Sequence, residues 1–126
     1  MDRDQSSHGF AFRRGRAPVE IPIELETHGD SFVAPSMNIG LGGLFVASGR
    51  RFEIGDRFSL RFALPDQPRA IAVAGEVRWL CQRQGQIVGM GLKFVRLSVM
   101  AAATIQEFLR RFDDDHTPSD PPTSLE

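Results

Sequence analysis

The sequence predicts an all-β domain with one C-terminal helix: a six-stranded antiparallel barrel with the helix packed against an open end. Three observations carry this expectation. Apolar residues recur with a period of two in short runs from Pro18 to Val95. Turn-forming residues separate those runs at hairpin spacing. At Ser98 the apolar period becomes helical and stays so to Phe112.

Each element follows from its own residues. Val19, Ile21, Ile23 and Leu25 alternate with Glu20, Pro22, Glu24 and Glu26, the pattern of a strand with one buried and one wet face. Pro22 has no N–H to donate, so this strand is expected at an edge or at a bulge. His28-Gly29-Asp30 is a turn. "SFVAPSM" at 31–37 is expected to be a weaker strand, broken by Pro35. The glycine-rich "NIGLGG" at 38–43 comes next, and then the strand "LFVAS". "SGRRFEIGD" at 48–56 is a connection. "RFSLRFAL" sets Phe58, Leu60, Phe62 and Leu64 on one face and Arg57, Ser59 and Arg61 on the other. "PDQP" turns the chain into the longest strand, "RAIAVAGEVRWL" at 69–80, with Ile71, Val73, Val77 and Trp79 expected inward and Glu76 and Arg78 outward. After "RQGQ", the strand "IVGMGLKFV" is expected to face Val88, Met90, Leu92 and Phe94 one way and to offer an edge for pairing. Ser98 is a helix N-cap. Ala101, Ile105, Phe108, Leu109 and Phe112 form the apolar stripe behind it, and Arg110 and Arg111 suit the negative end of the helix dipole.

A chain of 126 residues suggests one domain. We divide it into a flexible Arg-containing arm (1–17), the barrel with its helix (18–112) and a disordered acidic tail (113–126). The formal net charge of −1 hides an asymmetry. Asp113, Asp114, Asp115, Asp120 and Glu126 lie after Phe112; without those five of the 16 acids, 11 remain against 15 bases, about four positive charges in excess. Fourteen of the bases are Arg, whose planar fork suits phosphates, guanine edges and flat rings. The single cysteine, Cys81, allows no internal disulfide and fits a reduced compartment. No apolar run approaches the roughly 20 residues of a membrane span, and the N-terminus has no signal-peptide pattern. The expected location is the cytoplasm, with no membrane insertion.

Catalytic and metal chemistry find no constellation here. His8, His28 and His116 stand in no metal-ligand spacing. Cys81 has Arg83 beside it and no base, and reads as inert. The aspartates at 113–115 read as a solvated charge run. No acid, base and positioner can be assembled in one place, so an enzyme is not expected, and neither is a metal or a cofactor. Neither DNA nor RNA is expected as a partner. The chain has no Tyr, and Phe58, Phe62 and Trp79 are assigned to buried faces rather than to a stacking platform.

Two features remain. Arg13, Arg14 and Arg16 lie on the arm just before the first strand, and Asn38, Gly40 and Gly43 belong to the glycine loop. An arm ending where a barrel begins can fold over its outer face. There guanidiniums can grip phosphates and read guanine, while glycines let a ligand approach the backbone. The loop is thus either a tight turn or a ligand floor.

The same residues carry a resemblance to the PilZ domain family over about residues 12–112. It rests on the Arg-bearing arm before "RAPVEIPIEL", the loop leading into "GGLFVAS", and "IGDRFSLRFALP", "AVAGEVRWL" and "GMGLKFV" before the helix. The resemblance implies a six-stranded antiparallel PilZ-type β-barrel and a regulatory module, a candidate receptor for the second messenger cyclic-di-GMP, acting on motility, pilus or surface behaviour in a bacterium. It also implies a motility, pilus or polarity protein as partner. The alternative is a PilZ-like interaction adaptor that no longer binds cyclic-di-GMP, docking through the barrel face or through Val99, Met100 and Phe108. The family's motifs are Arg-x-x-x-Arg on the arm and Asp/Asn-x-Ser-x-x-Gly in the loop. Arg16 matches the second arginine, Phe12 stands at the first, and Arg13 is one place off register. Asn38 and Gly43 match the ends of the loop motif, and Gly40 stands at the serine position.

Overall fold

The structure, a computed structural model, describes residues 15–116. Its strands are β1 (Arg16–Pro18), β2 (Pro22–Thr27), β3 (Asp30–Gly40), β4 (Gly43–Ala47), β5 (Arg57–Phe62), β6 (Ile71–Arg83) and β7 (Gln86–Val95), and the chain then enters helix α1 (Val99–His116). All pairings are antiparallel, in the order β1-β3-β2-β5-β6-β7-β4, and β4 pairs back onto β3. That last pairing closes a ring. Because β1 and β2 both pair with β3 and are consecutive in the chain, they form one interrupted strand, and the barrel has six.

The interruption is a bulge. Pro18 stands opposite Asn38 and Pro22 opposite Pro35, so residues 19–21 face only residues 36 and 37. Ser36 repairs the ladder. Its fully buried hydroxyl donates to the Val19 carbonyl and accepts from the Ile21 N–H at 3.1 Å. The bulge expected from Pro22 is therefore present, and the alternation survives it: Ile23 and Leu25 are fully buried while Glu20, Pro22, Glu24 and Glu26 are not.

Pro35 does not break the second strand; β3 runs eleven residues through it. Pro22 and Pro35 stand opposite each other just beyond the β2–β5 and β3–β4 pairings, which begin at Glu24 and Ser36, so neither missing N–H is needed by the ladder. The β7 strand offers no free edge either, being paired with β6 on one side and β4 on the other.

The core contains Phe58, Leu60, Phe62 and Leu64 from β5 and the residues after it, as their alternation predicts, and Met90, Leu92 and Phe94 from β7. Val88 departs from that face and is exposed. Register shifts near Val77–Trp79 and Cys81–Gln82 in β6 alter the alternation of this ribbon. Helix α1 starts as predicted: the Ser98 hydroxyl accepts from the Ala101 N–H at 3.0 Å. Ala101 and Ile105 enter the core, with Phe108 and Leu109 packed at its margin. The helix continues past Phe112 to His116, so residues 113–116 are helical rather than part of a tail. Arg110 supports that last turn by bonding Glu107 and Asp114, one turn to either side. Residues 1–14 and 117–126, most of the expected arm and tail, lie outside the described residues.

Candidate functional site

The candidate site forms where β1 meets the β3–β4 hairpin. Backbone pairing sets Arg16 against Gly40 and Pro18 against Asn38, so two segments 22 residues apart share one corner. The Arg16 guanidinium donates to Asn38 Oδ1 from Nε at 2.9 Å and again from Nη2. Nη2 also reaches the Gly43 carbonyl oxygen at 3.3 Å. Four of the six predicted site residues, Arg16, Asn38, Gly40 and Gly43, are therefore gathered in one place. Arg13 and Arg14 lie outside the described residues.

The loop is a short hairpin in which Ile39 pairs with Leu44. Its glycines are not in the left-handed region; among the described residues, glycines with positive φ are at 15, 29, 55 and 85. Close approach explains Gly43: a Cβ there would lie 2.1 Å from the Leu92 carbonyl oxygen.

Beside this corner lies a cavity of about 250 Å³, lined in part by Arg16, Gly43, Phe45, Arg78, Trp79 and Lys93. Three of its walls are cationic, and among the described residues its lining contains no carboxylate. Phe45 and Trp79 stack across β4 and β6 with centroids 4.9 Å apart and rings within 16° of parallel. Trp79 is not inward, as the alternation predicts, but 38% exposed. The cause is the register shift between Val77 and Trp79: Val77 opposes Leu92 and Trp79 opposes Gly91, which leaves Arg78 as the extra residue and turns the indole outward. Glycines on β7 make the bed for the stack. A Cβ at Gly91 would lie 2.3 Å from Trp79 Nε1, and one at Gly89 would lie 2.4 Å from Phe45 Cζ.

Phe45, Arg78, Trp79 and Lys93 were not among the sequence-predicted site residues. The signal that points to them is "GMG", two glycines two apart in a strand, a spacing that marks a face where something lies flat on the backbone. Chemically, the cavity offers flat apolar surface to a ring and fixed positive charge to an anion. Among the described residues there is no cluster of three His, Cys, Asp or Glu able to hold a metal.

The profile of the PilZ domain family matches residues 10–111. This chain belongs to the PilZ domain family. Solved structures agree on the fold. The Bacillus subtilis inhibitor of motility MotI/DgrA superposes with a TM-score of 0.69 at 21% identity, over 83% of this chain and 53% of that one. The PilZ domain of Escherichia coli YcgR, solved with c-di-GMP, gives 0.66 at 11% identity, over 83% and 93%. Borreliella burgdorferi PlzA, solved in complex with c-di-GMP, gives 0.57 at 13% identity, over 83% and 44%. This chain thus spans about half the length of MotI and less than half of PlzA. A comparison with curated protein sequences finds no match. No helix among the described residues is long and apolar enough to cross a membrane.

Proposed function

We propose that this chain is a non-catalytic regulatory module that binds cyclic-di-GMP on the outer face of the barrel and relays its presence to motility or surface machinery. The observation that carries the reading is the cavity itself: the Arg16 guanidinium held on Asn38, with Arg78 and Lys93 beside a stacked Phe45–Trp79 pair. A cyclic dinucleotide of guanine carries two phosphates and two flat bases. Guanidiniums bind phosphate bidentately, and an exposed indole gives a base a surface to stack on. Two PilZ structures of this fold hold c-di-GMP, and MotI is named for inhibiting motility, which supports the ligand and the output.

Calorimetric titration with cyclic-di-GMP at low salt tests the reading. Saturable binding is expected. Arg16→Ala removes a charge-assisted contact worth about 1.5–3 kcal/mol, or roughly 10- to 150-fold in Kd. Arg78→Ala is expected to weaken binding and reduce its salt dependence.

A second reading, an adaptor that does not bind the nucleotide, is favoured by the exposure of Val99 (86%) and Met100 (55%) at the start of α1. Phe108 is half-buried against the barrel and belongs to the core margin instead. A partner that binds equally well with and without nucleotide, and with Arg16→Ala, would select this reading.

A further inference from the structure

Gly40 stands where the family's loop motif has serine, and its surroundings give that difference a physical meaning. Its backbone does not require glycine, since its φ lies outside the positive region. The space above it does. A Cβ at Gly40 would lie 2.8 Å from the Gly15 carbonyl oxygen, 2.9 Å from Arg16 Nη1 and 3.1 Å from Arg16 Cγ. By contrast, a Cβ on the neighbouring Gly42 would meet nothing within 4 Å. The Arg16 side chain therefore lies across Gly40 in the volume a side chain would take. Its far end is fixed there by Asn38 Oδ1 and the Gly43 carbonyl oxygen. The Gly15 oxygen is backbone, held by the strand that begins at Arg16. A serine at 40 can be seated only by moving that backbone or by lifting the guanidinium off Asn38.

We propose that Gly40 is a positioning residue for Arg16: the missing Cβ opens the slot in which the guanidinium lies, and Asn38 with the Gly43 carbonyl locks it there, facing an anionic ligand in the cavity. The loop hydroxyl of the family motif is absent here, and the Arg16 side chain occupies the space beside Gly40. Asn38 acts through the same lock, because its carbonyl oxygen is already engaged by Arg16 and it stands behind that residue rather than in the cavity lining. The proposal rests on the reading of the cavity as a cyclic-di-GMP site, and its test separates the two.

The first readout needs no ligand. In the full chain, the Arg16 Nε–H of the wild type is expected to be protected from exchange in ¹H–¹⁵N spectra. Gly40→Ala and Gly40→Ser remove that protection, Asn38→Leu removes it as well, and Asn38→Asp, which keeps an acceptor at the same place, restores it. The second readout is titration with cyclic-di-GMP. Gly40→Ser weakens binding by roughly tenfold or more, the loss of one charge-assisted contact. In an Arg16→Ala background the same substitution adds nothing, since both changes remove one interaction. Protection retained in Gly40→Ser, or binding tightened by it, overturns the positioning role. If the glycine variants fail to fold, Asn38→Leu decides: lost protection supports the lock and retained protection refutes it. A wild type that protects the Nε–H but binds no cyclic-di-GMP refutes the nucleotide reading and leaves the positioning of Arg16 intact.

Discussion

Ser36 serves the two backbone groups of the first strand that the bonds from Val19 N–H to the Met37 carbonyl and from Ser36 N–H to the Ile21 carbonyl leave over. Its side chain is 0% exposed, and it serves one carbonyl and one N–H across the bulge at residues 19–21. Ser36→Ala fills the same space but strands both groups, which costs about 1–3 kcal/mol. Urea denaturation is expected to show that loss. Thermal melting is expected to fall by about 4–8 °C for each kcal/mol. Arg16 and Asn38 were legible in the sequence as candidate site residues, because an arginine at the start of the first strand and an asparagine opening a glycine loop are polar groups with no core to enter. Their direct bond was not legible, since it depends on a register between segments 22 residues apart. Pro22 announced the bulge by its lack of an N–H; Ser36, a small polar residue among alternating ones, carried no comparable signal.

At the scale of elements, the β4–β7–β6 face depends on glycines that let aromatic rings lie on backbone. Trp79 is the chain's single tryptophan, so its emission reports this face alone. Gly91→Ala places a methyl 2.3 Å from the indole nitrogen and must displace the ring from Phe45. A red-shifted emission maximum is expected, together with weaker cyclic-di-GMP binding. Overpacking of this kind costs about 1–3 kcal/mol of stability. Regular alternation predicted the inner faces of β2 and β5 correctly, because those strands carry no register shift within their pairing. It failed at Trp79 and Val88, where one extra residue inverts the parity of the strand beyond it and only the "GMG" glycines opposite mark the place. In α1, hydrogen bonds from Arg110 and Arg111 hold the Glu107 carboxyl down from 4.5 to about 2. A depressed carboxylate pKa stabilises the fold fully above pH ~4.5 and loses that contribution as pH falls through about 2. The group is exposed, so the effect is small and screened by salt. The melting temperature of Glu107→Gln is therefore expected to lie slightly below that of wild type at pH 7, with the gap closing toward pH 2.

For the whole molecule, the barrel is a frame that carries one charged and aromatic corner on its outside. The fold class was legible throughout, since hairpin spacing, period-two alternation and the switch to helical period at Ser98 all point to one architecture. The closure of the ring by β4 on β3 was less so, because it pairs strands across the glycine loop of the candidate site. The central claim is that this corner receives a guanine dinucleotide, and Trp79 emission during titration with cyclic-di-GMP at low salt tests it most directly. A saturable change in emission is expected, weakened at least about tenfold by Arg16→Ala and diminished by added salt. A flat titration into the high micromolar range, from protein that melts cooperatively, would contradict it.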